Sequence, residues 1–330
     1  MKPAAAVLIF SFVASLLPAA TPVEPFLGQW ALFLPNGAGW LEVRQEAGYL
    51  DADLLWYGGS VVPVSDVYLD GETLVVTRVG SRTVKKEPKR ELMRTEQFRF
   101  AFYGDQLVGE QIVPRGDGLG VDRMTFTARK LPPPPPAPDL SKVKFGKPIK
   151  LFNGVDLTGW KLIEENRANG WKVVDGVLVN DPVQQEGKPH VDYGNLRTVD
   201  EFEDFNLKID VNVPAKSNSG IYLRGIYEVQ VMDSYGLGLD SHHMGAIYSR
   251  ITPTVSAEKP AGEWQSFDIT LCDRHVTVIL NGVKIIDNQP LYGVTGGALQ
   301  ACPFKPGPIY LQGDHGKVMY RNIILRPIIK

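Results

Sequence analysis

Tyr222, Arg224, Glu228 and Gln230 lie close together in two successive segments, SNSGIYLRG (217–225) and YEVQVMD (227–233). Alternate residues of an extended strand share a face. If Ile221, Leu223, Val229 and Val231 point into a core, then Tyr222, Arg224, Glu228 and Gln230 point out of it together. The expected result is an open sheet face carrying a carboxylate, a guanidinium, a phenol and an amide. Planar donors and acceptors satisfy sugar hydroxyls and a tyrosine covers an apolar ring face, so such a patch suits a polyhydroxylated ligand. The plain alternative is a solvated face with a Glu–Arg pair.

Other residues bear on the same chemistry. His315 in the segment GDHG is a second candidate base or ligand. His242 and His243 occupy a loop, where adjacent residues usually face solvent. Arg321 in YRNIILRP is left without a face, because Tyr320 and Ile323 both read as buried yet have opposite parity. Glu228, Gln230 and Asp233 approximate the ExDxxE strand motif of jelly-roll β-glucanases, whose paired glutamates act as nucleophile and acid. The match is imperfect. Gln230 stands where the assisting aspartate belongs, and residues 228 and 233 share a face only across a bulge. A non-catalytic carbohydrate-binding sandwich is a third reading, since fold alone does not establish activity.

The elements that must position these residues are strands. Asp175-Gly176 and Asn281-Gly282 sit between β-rich runs as hairpin turns, FEDFNLKIDVNVP alternates over a long strand, and no helical period separates the strands. This pattern predicts a jelly-roll β-sandwich over residues 144–330. The tract LPPPPPAPDLSK within 131–143 predicts a polyproline spacer. Residues 24–130, with turns at Asp70-Gly71 and Gly104-Asp105, read as a smaller antiparallel sheet or barrel with Trp30, Trp40 and Trp56 in its core. That module contains no histidine and reads as accessory. The spacer predicts two independently folded modules with few crossing contacts, and activity retained by residues 144–330 alone.

Composition narrows the partners. The 330 residues carry 35 Lys+Arg against 37 Asp+Glu, a formal net charge of -2, with positive charges scattered except for Lys85, Lys86, Lys89 and Arg90. This leaves no basic field for nucleic acid. Residues 1–20 read as a signal peptide cleaved near Ala20, with one Lys before an apolar run too short to span a membrane, and no other stretch approaches a span. An exported protein, periplasmic or extracellular, is expected. The two cysteines, Cys272 and Cys302, are either bridged or buried thiols.

The chain resembles the 3-keto-disaccharide hydrolase family, long called DUF1080. The likeness runs in order through LFNGVDLTGW (151–160), SNSGIYLRG, YEVQVMD, GAIYSRITP (245–253), PAGEW (260–264), LNG (280–282) and GPIYLQGDHGKVMYRNIILRP (307–327). It covers nearly all of residues 146–330. The resemblance implies a concanavalin-like jelly roll acting on 3-keto-glycosides as a 1,2-lyase or 3-keto-2-hydroxyglucal hydratase. A C3 ketone acidifies the C2 hydrogen, so a base can remove it and the C1 substituent can leave by β-elimination. Glu228 is the expected base, Tyr222 and Arg224 the acid and electrophilic contacts, and His315 a further base. Asn218, Gln230, Tyr248, Gln312 and Arg321 are the remaining polar candidates for substrate contacts. A divalent cation held by Glu228, Asp233 or His315 would also suit this chemistry.

Overall fold

A computed structural model describes residues 23–85 and 89–329, so the expected signal peptide lies outside the described residues. The first module is a nine-stranded antiparallel sheet. From one edge its strands run Val62–Pro63, Leu50–Trp56, Gly37–Gln45, Gly28–Leu34, Val121–Leu131, Gln106–Pro114, Arg90–Tyr103, Thr73–Lys85 and Asp66–Asp70. The strand Leu50–Trp56 also approaches Asp66–Asp70 near the other edge, so the sheet curls on itself. Trp30, Leu32, Leu41, Leu54, Trp56, Phe98 and Phe100 pack inside the curl.

The second module is a β-sandwich of two sheets, and the fold is all-β. The larger sheet follows the order Trp171–Val174, Val177–Asn180, Val318–Ile329, Phe205–Asn212, Trp264–Cys272, His275–Leu280 and Val283–Pro290. The smaller follows Trp160–Leu162, Leu196–Thr198, Tyr310–Leu311, Asn218–Leu223 and Tyr227–Met232. Neighbours distant in sequence make this a jelly-roll arrangement rather than a meander. Alternate residues of the two sheets meet in one core, with Leu207, Ile209, Phe267, Ile269 and Leu325 facing Ile221, Leu223, Val229, Val231 and Leu311. The hairpin at Asn281-Gly282 forms as expected: both residues have positive φ, 52° and 82°, as a type I′ turn requires.

The two modules do not stand apart. The face of the first sheet turned away from its own core presents Ala31, Ala38, Trp40 and Leu55, and these belong to the same apolar cluster as the sandwich core. The Trp40 indole N–H donates to Tyr292 O at 3.0 Å, and the Arg250 guanidinium lies 4.4 Å from the Trp40 ring centroid. Burial lowers the pKa of that guanidinium to about 10. Val61 N donates to Ser249 Oγ at 2.8 Å, and Gly297 N to Tyr57 O at 3.2 Å. The expectation of few crossing contacts is therefore corrected, and Trp40 packs between the modules rather than in the first module's core. The reason is that this sheet buries both faces, which strand alternation alone does not reveal. The proline tract is also docked. Prolines lack N–H groups but keep their carbonyls, and Pro132 O and Pro138 O accept from Arg274 at 3.3 Å and Asn288 at 3.0 Å.

Cys272 and Cys302 are buried and unbridged. No helix among the described residues is long and apolar enough to cross a membrane.

Candidate active site

Pairing in the smaller sheet sets the site. Tyr222 lies opposite Tyr310 on one neighbouring strand and Glu228 on the other, so the three side chains form a row across the sheet. The next residue of the middle strand on the same face, two positions before Tyr222, is Gly220, opposite Gln230. The absence of a side chain there is what admits the carboxyl of Glu228. A Cβ built on Gly220 would lie 2.3 Å from Glu228 Oε1. Gly220 has no positive φ, so alanine fits the backbone and only the carboxyl must move. We expect Gly220→Ala to lower turnover at least about tenfold, with thermal unfolding little changed, as read by steady-state kinetics and calorimetry.

Around this row lies a cleft of about 660 Å³, lined by Asn218, Tyr222, Glu228, Gln230, Tyr248, Tyr310, Gln312, Asp314 and His315. The size is typical of small-ligand sites. The first module closes one wall with Leu34, Pro35, Asn36 and Tyr57. A loop at Gly296-Gly297 closes another, pressed between Tyr222 and the backbone of Gly58-Gly59. A Cβ on Gly297 would lie 2.6 Å from Tyr222 Oη, and one on Gly296 2.3 Å from Gly59 O. The face expected to be open is thus roofed, and Glu228 is only 4% exposed.

Burial pushes the Glu228 carboxyl up to about 8, against the hydrogen bond from Tyr222 and the nearby charge of His315, which favour ionisation. Tyr222 Oη lies 2.8 Å from Glu228 Oε2 and 2.8 Å from Gly296 O. When Glu228 is ionised, the tyrosine donates to it. When Glu228 is protonated, its O–H donates to the tyrosine oxygen and the tyrosine donates to Gly296 O. Both protonation states are accommodated without moving a side chain. Glu228 N donates to Thr295 Oγ1 at 2.9 Å, which fixes the backbone beneath the carboxyl. Tyr222 stacks on Tyr310 with ring centroids 4.0 Å apart, and burial raises both phenols well above the usual range.

His315 Nδ1 lies 2.5 Å from Asp314 Oδ1. That hydrogen bond raises the imidazole's pKa, and Glu228 adds to the effect. Burial works against ionisation of Asp314, but its bond to His315 and the histidine's charge outweigh this and lower its pKa. The arrangement leaves Nε2 as the imidazole's free nitrogen. Asn218 Oδ1 and Gln312 Oε1 are buried and have no hydrogen-bond partner among the described residues. Both belong to residues lining the cleft, where they offer acceptors to hydroxyl donors.

Several expected site residues are elsewhere or otherwise engaged. Arg224 does not line the cleft. It has φ 56° in the turn after Asn218–Leu223, so the strand alternation ends before it, and its guanidinium donates to Pro303 O at 2.7 Å and also to Lys305 O. Arg321 packs on the larger sheet, 3.9 Å from the Trp264 ring centroid and 3.4 Å from Asp210. A bulge there, with Asn322 at φ 53°, explains why Tyr320 and Ile323 are both buried despite opposite parity. Asp233 follows the strand end and accepts from Lys216 N at 2.9 Å, outside the cleft lining. Gln230 lines the cleft, but its amide donates to His242 O at 3.1 Å and its carbonyl accepts from Val231 N at 3.0 Å. Tyr248 is in the cleft. His242 meets its ring edge-on and is itself held between Asp240 at 2.7 Å and Ser60 at 2.9 Å.

Of the residues expected as alternative ligands of a cation, Glu228 and His315 line the cleft together and Asp233 lies outside its lining. Among the described residues, one set of three potential ligands has its ligand atoms within 4.8 Å of one another. It is Asp204, Cys272 and Asp273, none of which lines the cleft.

Residues 147–326 match the family described as the 3-keto-alpha-glucoside-1,2-lyase-like domain. The chain belongs to that family. Membership makes it a carbohydrate-active protein, and the matched span contains every cleft residue contributed by the sandwich but none from the first module. Two similar solved structures are proposed glycosyl hydrolases from Parabacteroides distasonis. One is 32% identical, with a TM-score of 0.45, covering 60% of this chain and 94% of its own. The other is 24% identical, with a TM-score of 0.44, covering 55% and 94%. No curated protein matches the chain.

Sequence reasoning missed Asp314, the orienter of His315, although it stands next to it in GDHG. It also missed Tyr310 and the wall supplied by the first module. The glycine in SNSGIYLRG, two residues before Tyr222, was the available signal for the space that holds the Glu228 carboxyl.

Proposed function

We propose that the protein is an exported enzyme that cleaves 3-keto-glycosides by 1,2-elimination, with Glu228 as base and His315 as acid. The observation that carries this reading is a buried carboxyl with its pKa at about 8, in a cleft shared with an aspartate-oriented imidazole. Such a carboxyl, when ionised, is a far stronger base than an exposed glutamate. It removes the C2 proton, whose electron pair is delocalised onto the C3 carbonyl as an enolate. The enolate reforms the ketone as the C1–O1 bond breaks, leaving a C1=C2 double bond. The His315 imidazolium gives its Nε2 proton to the departing O1. Addition of water to C1, with a proton returned to C2, gives the free 3-keto sugar and completes a net hydrolysis. Asn218 Oδ1 and Gln312 Oε1 accept from sugar hydroxyls.

Elimination suits the site better than retaining hydrolysis. A glucanase mechanism needs two free carboxyls across the scissile bond; Asp233 is outside the cleft, Asp314 is committed to His315, and Glu164, which also lines the cleft, accepts from Asn195 and lies beside Arg167. Glu228, Glu164 and the Asp314–His315 pair are cleft groups that could hold a hard divalent cation. Proton transfer by the chain's own residues predicts turnover that survives a chelator, whereas loss restored by added cation would assign these residues as ligands.

The acid and base should appear as the two limbs of the pH profile of kcat/KM. Asp314 raises the pKa of His315, so Asp314→Asn should lower it. The limb belonging to His315 is then expected to move to lower pH, with turnover reduced because less imidazolium remains at neutral pH. A profile unchanged in Asp314→Asn would remove His315 from the role of acid. The proposed function as a whole is tested by turnover of a 3-keto-disaccharide against its unoxidised parent.

A further inference from the structure

Ser60, His242 and Asp240 stand in the order of a nucleophile, its base and the carboxylate that orients the base. Ser60 Oγ lies 2.9 Å from His242 Nε2, and His242 Nδ1 lies 2.7 Å from Asp240 Oδ1. An ionised carboxylate only accepts, so Nδ1 carries the proton of the neutral imidazole and Nε2 accepts from the Ser60 hydroxyl. The hydrogen bonds from His242 hold the Asp240 carboxyl below its usual range. Asp240 Oδ1 also accepts from His242 N at 2.8 Å, so one oxygen sets both the backbone and the ring of residue 242. Ser60 comes from the other module, in the segment that follows the strand Leu50–Trp56, so the three residues meet only because the modules are docked. None of the three lines the cleft described above, but two of their neighbours do. Gly58 is one, and Tyr248, whose Oη lies 3.4 Å from Ser60 Oγ, is the other.

We propose that Ser60, His242 and Asp240 form a second catalytic site, a serine esterase that removes short acyl groups from acylated sugars. It is independent of the keto-glycoside reading, since it uses neither Glu228 nor His315. Ser60 Oγ attacks the ester carbonyl carbon as its proton passes to His242 Nε2. The tetrahedral oxyanion collapses, the bond to the sugar oxygen breaks, and that oxygen takes the proton from Nε2. A water molecule then gives a proton to Nε2 and attacks the acyl-serine; collapse releases the carboxylic acid, and the proton returns to Ser60 Oγ. The backbone N–H groups of Gly58 and Ser60 make no hydrogen bond among the described residues and remain available as donors to the oxyanion. Exposure selects the leaving group. The side chains of His242 and Asp240 are 41% and 51% exposed, so water weakens their charge interaction, which suits an ester's alkoxide better than the poorer leaving group of an amide. A sugar carrier fits the position beside the cleft of a carbohydrate-active protein.

The test uses the full chain, a fluorophosphonate that labels activated serines, and a methyl glucoside fully O-acetylated on its hydroxyls. We expect mass spectrometry of the digested wild-type protein to find the label on Ser60, and the protein to release acetate from the acetylated glucoside. Ser60→Ala should lose the label and lower acetate release at least about a hundredfold. Asp240→Asn keeps the serine but removes the carboxylate, so labelling of Ser60 should slow at least about tenfold, an effect that a hydrogen bond serving only to join the modules would not produce. Absence of label on Ser60 in the wild-type protein overturns the proposal, as does acetate release that persists in Ser60→Ala. Labelling of Ser60 without release of acetate would overturn the assignment of acylated sugars as substrates. The labelling outcome does not depend on the keto-glycoside assay, so failure of either reading is seen separately.

Discussion

Glu228→Gln is expected to lower turnover of a 3-keto-glycoside at least about a hundredfold while making the protein more stable at neutral and alkaline pH. The loss is the lower range of what a positioned general base contributes, and glutamine keeps the shape while losing the basicity. The gain follows from linkage. The carboxyl's pKa is about 8 in the folded protein against an ordinary value of 4.5, so the folded state holds its proton where the unfolded state has released it. The favourable contribution of the protonated form is fully present below pH 4.5 and is lost as pH rises towards 8. At pH 7 the resulting cost is on the order of 3 kcal/mol, and a neutral glutamine avoids it. Urea denaturation at pH 5 and pH 8 should therefore show the variant's advantage growing with pH. A solvated glutamate would give neither effect. An inactive variant destabilised equally at both pH values would indicate a structural role instead.

Residues 144–330 produced alone are expected to be strongly destabilised and to lose most activity, the reverse of what the proline tract suggests. The cut would remove Ala31, Ala38, Trp40 and Leu55 from the shared cluster. It would also leave Arg250 without the ring it stacks on. Burial of a large apolar side chain is worth roughly 1.5–3 kcal/mol, so loss of Trp40 and Leu55 alone approaches the whole stability of a marginal domain. The cleft would lose its Leu34–Pro35–Asn36 wall, and the loop at Gly296-Gly297 would lose the Gly58-Gly59 backbone that presses it onto Tyr222. A folded, fully active fragment, measured by calorimetry and turnover, would return the first module to an accessory role.

What the sequence revealed was local. Alternation in IYL and YEVQV correctly set Tyr222 and Glu228 on the face opposite Ile221, Leu223, Val229 and Val231, because side-chain direction in a strand depends only on parity. It failed at Arg224, where positive φ in the turn ends the strand, and at Arg321, where a bulge breaks parity. It could not foresee that the Tyr222–Glu228 face would be buried. That burial comes from the 291–301 loop and from the first module, brought there by tertiary contacts that no periodicity encodes. The chemistry follows the same division, since the residue type of Glu228 was readable and the environment that raises its pKa was not.

The central claim, elimination through proton removal at C2, is tested most directly by treating a 3-keto-disaccharide with the protein in D2O and examining the product at C2. Elimination predicts either the unsaturated 2-hydroxy-3-keto-glucal or, after hydration, a 3-keto sugar carrying deuterium at C2 beyond the exchange seen without protein. The unoxidised disaccharide should remain intact. Cleavage that leaves the original hydrogen at C2, or cleavage of the unoxidised disaccharide, would contradict the account.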